Sequence, residues 1–88
     1  MSEQRFRPRA LVPWDSKRVR RQAEYTIITE AIKTGTTTRI KLKQHFQRER
    51  DRVLSMRDQI PTAVDIYLVA HFDEVWASLI ARGILVPA

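Results

Sequence analysis

The stretch KLKQHFQRERDR (Lys41–Arg52) sets five lysines and arginines, His45 and two acids around Leu42 and Phe46. Whether it is a helix or a charged loop decides how many elements the chain contains. Projected at about 100° per residue, the turn angle of an α-helix, Leu42, Phe46, Val53 and Met56 fall in one sector at spacings of 4, 7 and 3, and Ile60 extends the row. Arg39, Lys43, Arg50 and Arg57 line one flank, Lys41, Arg48 and Arg52 the other, while Asp51 and Asp58 share a third side. No Gly or Pro interrupts the pattern. The spacing therefore predicts one amphipathic helix over residues 38–59, capped by Thr37 or Thr38. The run QRERDR (Gln47–Arg52) has no apolar side chain, and is the place where this helix would divide. The flanking cations suit two roles: their stems cover the edges of an apolar contact, or their charges straddle a polyanion.

Outward from this helix, TGTTT (Thr34–Thr38) is a break, with Gly35 free to adopt the left-handed conformation that ends a helix. Before it, Asp15 or Ser16 caps a first helix over residues 16–34, with Trp14 and Val19 spaced as a hydrophobic staple. Its apolar residues Ala23, Ile27, Ile28, Ala31 and Ile32 lie in the second half, whereas Lys17, Arg18, Arg20 and Arg21 occupy the first. After Pro61, Thr62 and Asp65 have capping-box spacing and open a third helix over residues 62–82. Val64, Leu68, Phe72, Val75, Trp76 and Leu79 form its main stripe. Ile66, Val69, Ala70 and Ile80 widen it beyond half the circumference and are the candidate interface to another chain. Arg82 and Gly83 stop it, and Ile84 or Leu85 folds back. Residues 1–14, broken by Pro8 and Pro13, read as a basic flexible arm in which Arg5, Arg7 and Arg9 alternate with Phe6 and Pro8. The expected fold is all-α: a small three-helix domain over residues 15–88 behind that arm.

The 88 residues hold 16 Lys or Arg against 10 Asp or Glu, and the excess is uneven. Residues 1–57 carry 15 basic and 6 acidic residues; residues 58–88 carry only Arg82 against Asp58, Asp65, Asp73 and Glu74. Such asymmetry points to a polyanionic partner. There is no cysteine, which excludes disulfides and thiolate metal sites. No signal-peptide core or membrane span is legible, so the expectation is a cytoplasmic protein without a membrane partner. His45 and His71 belong to no motif, and the two glycines, Gly35 and Gly83, make no phosphate loop. His45 and Glu49 share i,i+4 spacing, as metal ligands can, but the pair reads as a solvated helix face. Neither enzyme activity, nor a metal, nor a cofactor is expected.

In this order YTIITEAIKTG (Tyr25–Gly35), TTTRIKLKQHF (Thr36–Phe46) and VWASLIARGILVP (Val75–Pro87) resemble winged-helix DNA-binding domains. These have a first helix, a Thr-started second helix, and a third ending in Leu-x-x-Arg-Gly-Ile/Leu before a strand. The resemblance covers most of residues 25–87 and implies a helix-turn-helix-like core. Three features depart from it. About 14 residues separate the second and third helices, the sequence ending at Ala88 supplies no wing hairpin, and Asp73 and Glu74 in the third helix oppose phosphate approach. Membership is not assigned, and DNA contacts are expected from the basic N-terminal half. The candidate nucleic-acid residues are Arg5, Arg7, Arg9, Lys17, Arg18, Arg20, Arg21, Lys41, Lys43, Arg48, Arg50 and Arg52. The expected function is a DNA-binding regulator or accessory factor of phage or bacterial type, able to dimerise. The alternative is an adaptor or inhibitor that docks on a larger protein through the apolar C-terminal helix and the basic ridges.

Overall fold

The computed structural model describes residues 3–88; Met1 and Ser2, the first residues of the expected arm, lie outside them. Within that arm, Arg5–Pro8 forms a strand, β1. It is followed by α1 (Val19–Thr34), β2 (Thr37–Thr38), α2 (Arg39–Leu54), α3 (Ala63–Ala70), α4 (Phe72–Ala81) and β3 (Leu85–Pro87). β1 is the middle strand of an antiparallel sheet ordered β2-β1-β3. Arg5 and Phe6 pair with Thr38 and Thr37, and Phe6, Arg7 and Pro8 pair with Pro87, Val86 and Leu85. The all-α, three-helix expectation is thus corrected, among the described residues, to four helices and a small three-stranded sheet. The physical reason is the two-residue alternation of RFRPR. Phe6 turns inward and meets Trp76 edge to face at 5.5 Å between ring centroids, while Arg5 and Arg7 stay exposed.

Helix ends differ from expectation for local reasons. α1 starts at Val19, and neither Asp15 nor Ser16 is its N-cap. Asp15 instead shapes the approach: its Oδ1 accepts the Lys17 N–H at 2.9 Å, and its carbonyl accepts from Gln22 Nε2 at 2.7 Å. Trp14 packs edge to face on Tyr25 of α1. At α2 the hydroxyl of Thr38 accepts the Lys41 N–H, and the helix runs unbroken through QRERDR to Leu54. It stops short of residue 59 because Ser55 Oγ bonds the Arg52 carbonyl while the Met56 N–H closes onto Val53. Beyond Phe46 the α2 stripe meets little core: Leu42 and Phe46 are buried, Val53 is half-buried, and Leu54, Met56 and Ile60 are exposed. The radius of gyration, 13.0 Å, exceeds the roughly 12 Å expected of this length, as the projecting end of α2 requires.

The helix expected over residues 62–82 bends at His71, whose φ of −119° and ψ of 22° separate α3 from α4. A straight helix with apolar side chains around more than half its circumference cannot bury them all against one layer. The bend lets α3 pack on α1 and α2 while α4 packs on α1 and β3. Asp73 and Glu74 then fall in the first turn of α4, where the helix dipole favours acids. Gly83, at φ 71°, closes α4 in a Schellman arrangement: the Ile84 N–H reaches the Leu79 carbonyl and the Gly83 N–H reaches that of Ile80. This seats Ile84 against the core and buries Leu85. The core joins Ala23, Ile27, Ile28 and Ala31 of α1 to Leu42, Phe46, Leu68, Phe72, Val75, Trp76 and Leu79.

α3 has only eight residues, so its start matters. Thr62 Oγ1 accepts the Asp65 N–H and Asp65 Oδ2 accepts the Thr62 N–H, both at 3.2 Å, a complete capping box. Thr62→Ala is expected to cost about 1 kcal/mol and lower the thermal midpoint by roughly 4–8 °C. An unchanged melting curve contradicts a stabilising cap.

Candidate nucleic-acid interface

The basic residues separate by whether a carboxylate already holds them. On α1, Glu24 is fully buried and binds two arginines: Arg21 Nη1 at 2.8 Å and Arg82 Nη2 at 2.6 Å. Burial pushes the Glu24 carboxyl up, but the hydrogen bonds and charges of Arg82 and then Arg21 outweigh it and hold it below the ordinary value. Arg21 is therefore part of a structural triad. On α2, Lys43 Nζ and Arg39 Nη1 bind the two oxygens of Asp73 at 2.8 and 2.9 Å. These bonds, that of Lys43 foremost, keep Asp73 below the usual carboxylate range against a weaker opposing push from desolvation. Asp73, expected to repel phosphate, thus also clamps α4 to α2.

Two of the three arginines of QRERDR are paired within their own helix, and Arg48 is not. Arg50 bonds Asp51 at 3.0 Å and Arg52 bonds Glu49 at 2.9 Å. Arg18 lies 3.9 Å from Asp15. Of the twelve candidate residues, Arg18, Arg21, Lys43, Arg50 and Arg52 are ion-paired. Arg5, Arg7, Arg9, Lys17, Arg20, Lys41 and Arg48 have no carboxylate within salt-bridge distance among the described residues.

Several of these free cations follow one line. Arg5, Arg7 and Arg9 are exposed and lie on one side of the extended chain by its two-residue period. The Arg9 N–H continues the ladder beyond β1 onto the Ile84 carbonyl at 2.8 Å. They are spaced about 7 Å apart, a step comparable to that between successive phosphates of a nucleic-acid strand. At the Arg5 end, Arg5 Nη1 donates to Thr36 Oγ1 at 3.1 Å over an open cleft of about 340 Å³ walled by Thr36, Lys41, His45 and Glu30. Glu30, in the same wall, lies 3.8 Å from Lys33 Nζ and 3.7 Å from His45 Nε2 and is not within salt-bridge distance of Arg5 or Lys41. Lys17 and Arg20 are exposed beside the start of α1, and Arg48 is exposed on α2.

The candidate interface residues divide. Val69 and Ile80 pack against the core. Ile66 is 54% exposed, and with Ala70 it lines a shallow apolar groove shared with Val19, Ala63 and Tyr67. His45 and His71 sit beside Glu30 and Glu74, and among the described residues no three His, Cys, Asp or Glu side chains cluster as metal ligands. Among the described residues no helix is long and apolar enough to cross a membrane.

Two functional features were not drawn from the sequence. Glu24 lies in phase with Ile27, Ile28 and Ala31, and three residues after Arg21; an acid inside an apolar stripe is the signal of a paired buried charge. The second is an apolar groove between residues 11–13 and α1, walled by Leu11, Pro13, Tyr25 and Ile32. Comparison with protein-family models, curated proteins and solved structures returns no match to this chain.

Proposed function

We propose that this chain is a nucleic-acid-binding module, with DNA the favoured partner, acting as a regulator or accessory factor rather than as an enzyme. The observation that carries this reading is the row Arg5–Arg7–Arg9. It consists of three exposed arginines, without carboxylate partners among the described residues, whose alternating positions run along the middle strand and its extension to Arg9, with Lys41 in the cleft at the Arg5 end. A fixed row tracks a phosphate backbone with less ordering cost than a flexible arm would incur. Because the row contacts phosphates, it positions the protein and reads no base by itself. Anisotropy titrations of a labelled DNA strand and duplex test the reading. Binding at about 50 mM salt that weakens by orders of magnitude by about 200 mM supports it. No binding, or binding indifferent to salt, contradicts it.

A second reading rests on the groove at Ile66 and Ala70, whose exposed apolar surface on α3 fits a protein partner. In that case Ile66→Ser leaves the fold intact and abolishes capture of the partner while nucleic-acid binding is absent.

A further inference from the structure

On the strength of the nucleic-acid reading above, we infer that the groove between residues 11–13 and α1 is a stacking site for unpaired bases, which makes this a single-strand binder. Trp14 and Tyr25 are 54% and 39% exposed and meet edge to face at 5.2 Å between centroids, with their planes at 77°. Leu11 and Ile32, 77% and 48% exposed, continue the surface into an open groove of about 610 Å³, with the Thr29 hydroxyl and Lys33 in its wall. Leu11 and Ile32 also wall the adjoining cleft that contains Arg9. The row that begins at Lys41 and Arg5 thus ends, at Arg9, in a cleft that shares Leu11 and Ile32 with the groove; Tyr25 lines that groove and Trp14 borders it through its contact with Tyr25. A cationic track that ends beside exposed rings is what a single strand needs, its backbone following the charges and its bases stacking on the rings.

The chemistry selects among occupants. A second copy of this chain, with its net charge of +6, would bring like charge to a groove walled in part by Lys33 and adjoined by the cleft of Arg9. A duplex keeps its bases stacked on one another and offers none to the rings. A single strand presents both regular negative charge and free π-faces. The exposed rings carry no charge, so they add affinity without adding to the salt dependence that the arginines set.

The test compares a labelled oligothymidine strand with the matching oligo(dA)·oligo(dT) duplex at one salt concentration. Trp14→Ala and Tyr25→Ala are each expected to weaken strand binding by about 5- to 150-fold. Duplex affinity should change by less than about twofold and the salt slope should stay the same. Trp14→Phe should restore most of the strand affinity, and thermal melts should show that all variants fold, since Trp14 lies outside the helices and is half-exposed. Because Trp76 is buried at 3% exposure, the strand should quench the fluorescence of Trp14 selectively, a signal lost in Trp14→Ala. Equal loss on strand and duplex, or unchanged strand affinity as for a groove that serves a protein, overturns the stacking site. A wild-type chain that binds neither nucleic acid refutes the underlying reading instead.

Discussion

Replacing Arg21 and Arg82 together with alanine is expected to remove about 3–5 kcal/mol of folding stability, the cost of stranding a buried charge. A domain of this length holds roughly 4–13 kcal/mol in all, so the double variant should lose a large share of its stability at neutral pH and melt at a much lower urea concentration. The asymmetry of the triad decides the size of the effect. Glu24 is fully buried, whereas the Arg21 and Arg82 side chains are 41% and 37% exposed. Removing the acid frees two cations that reach water; removing both cations leaves a carboxylate that cannot. Glu24→Gln should therefore be milder than the double arginine variant.

The pH dependence follows from the same triad with its sign reversed between the two proteins. In the wild type the Glu24 carboxyl lies below its ordinary value. Its contribution is complete above the unfolded-state pKa near 4.5 and is lost as pH falls through the lower folded-state value. In the double variant burial acts alone and raises the carboxyl, so the penalty grows as pH rises and shrinks as Glu24 takes up a proton. Urea melts at acidic and neutral pH should show the two stabilities converging toward acid. A gap that is constant with pH contradicts the triad.

Deleting residues 1–9 is expected to be as damaging, because it removes the strand that joins β2 to β3. Phe6 leaves Trp76, the ladder to Thr37–Thr38 and Leu85–Pro87 is lost, and Leu85 loses its strand partner. Phe6 is partly buried, so the loss of its packing alone falls below the roughly 3–5 kcal/mol of a fully buried Phe→Ala change, with the lost ladder adding to it. Calorimetry should record a large drop in the thermal midpoint or no cooperative transition. A truncated chain that melts like the full one would mean that these residues are an arm after all.

The sequence of β1 carries only part of a strand's signal. The alternation of Arg with Phe6 and Pro8 is the period of a strand, but a strand needs partners, and these lie some 30 and 80 residues away at Thr37–Thr38 and Leu85–Pro87. Two- and three-residue strands carry almost no local signal of their own. Helical spacing was more legible, because Leu42 and Phe46, or Leu68, Phe72, Val75, Trp76 and Leu79, are buried by the same face that the sequence repeats. The stops at Gly35 and Gly83 and the Thr62 cap were equally local. The bend at His71 was not, since neither Gly nor Pro marks it; only the acids of Asp73 and Glu74 hint at a new helix start. For the candidate interface, sequence located the cations but not their partners. Arg50–Asp51 and Arg52–Glu49 are neighbours within one helix, yet Lys43–Asp73 and Arg82–Glu24 join residues 30 and 58 positions apart. The QRERDR ridge, prominent in one dimension, is therefore the less available part of the basic surface, and the free row lies in the segment read as unstructured.

The most direct test of the phosphate row is the slope of log affinity against log salt for the Arg5→Gln/Arg7→Gln/Arg9→Gln triple variant beside the wild type and Arg50→Gln/Arg52→Gln. Three lost phosphate contacts should make the triple variant shallower by about 2–3 units, while the α2 double variant, whose charges already face Asp51 and Glu49, changes by less than about one. An unchanged slope in the triple variant, or a larger loss from Arg50 and Arg52, contradicts the assignment.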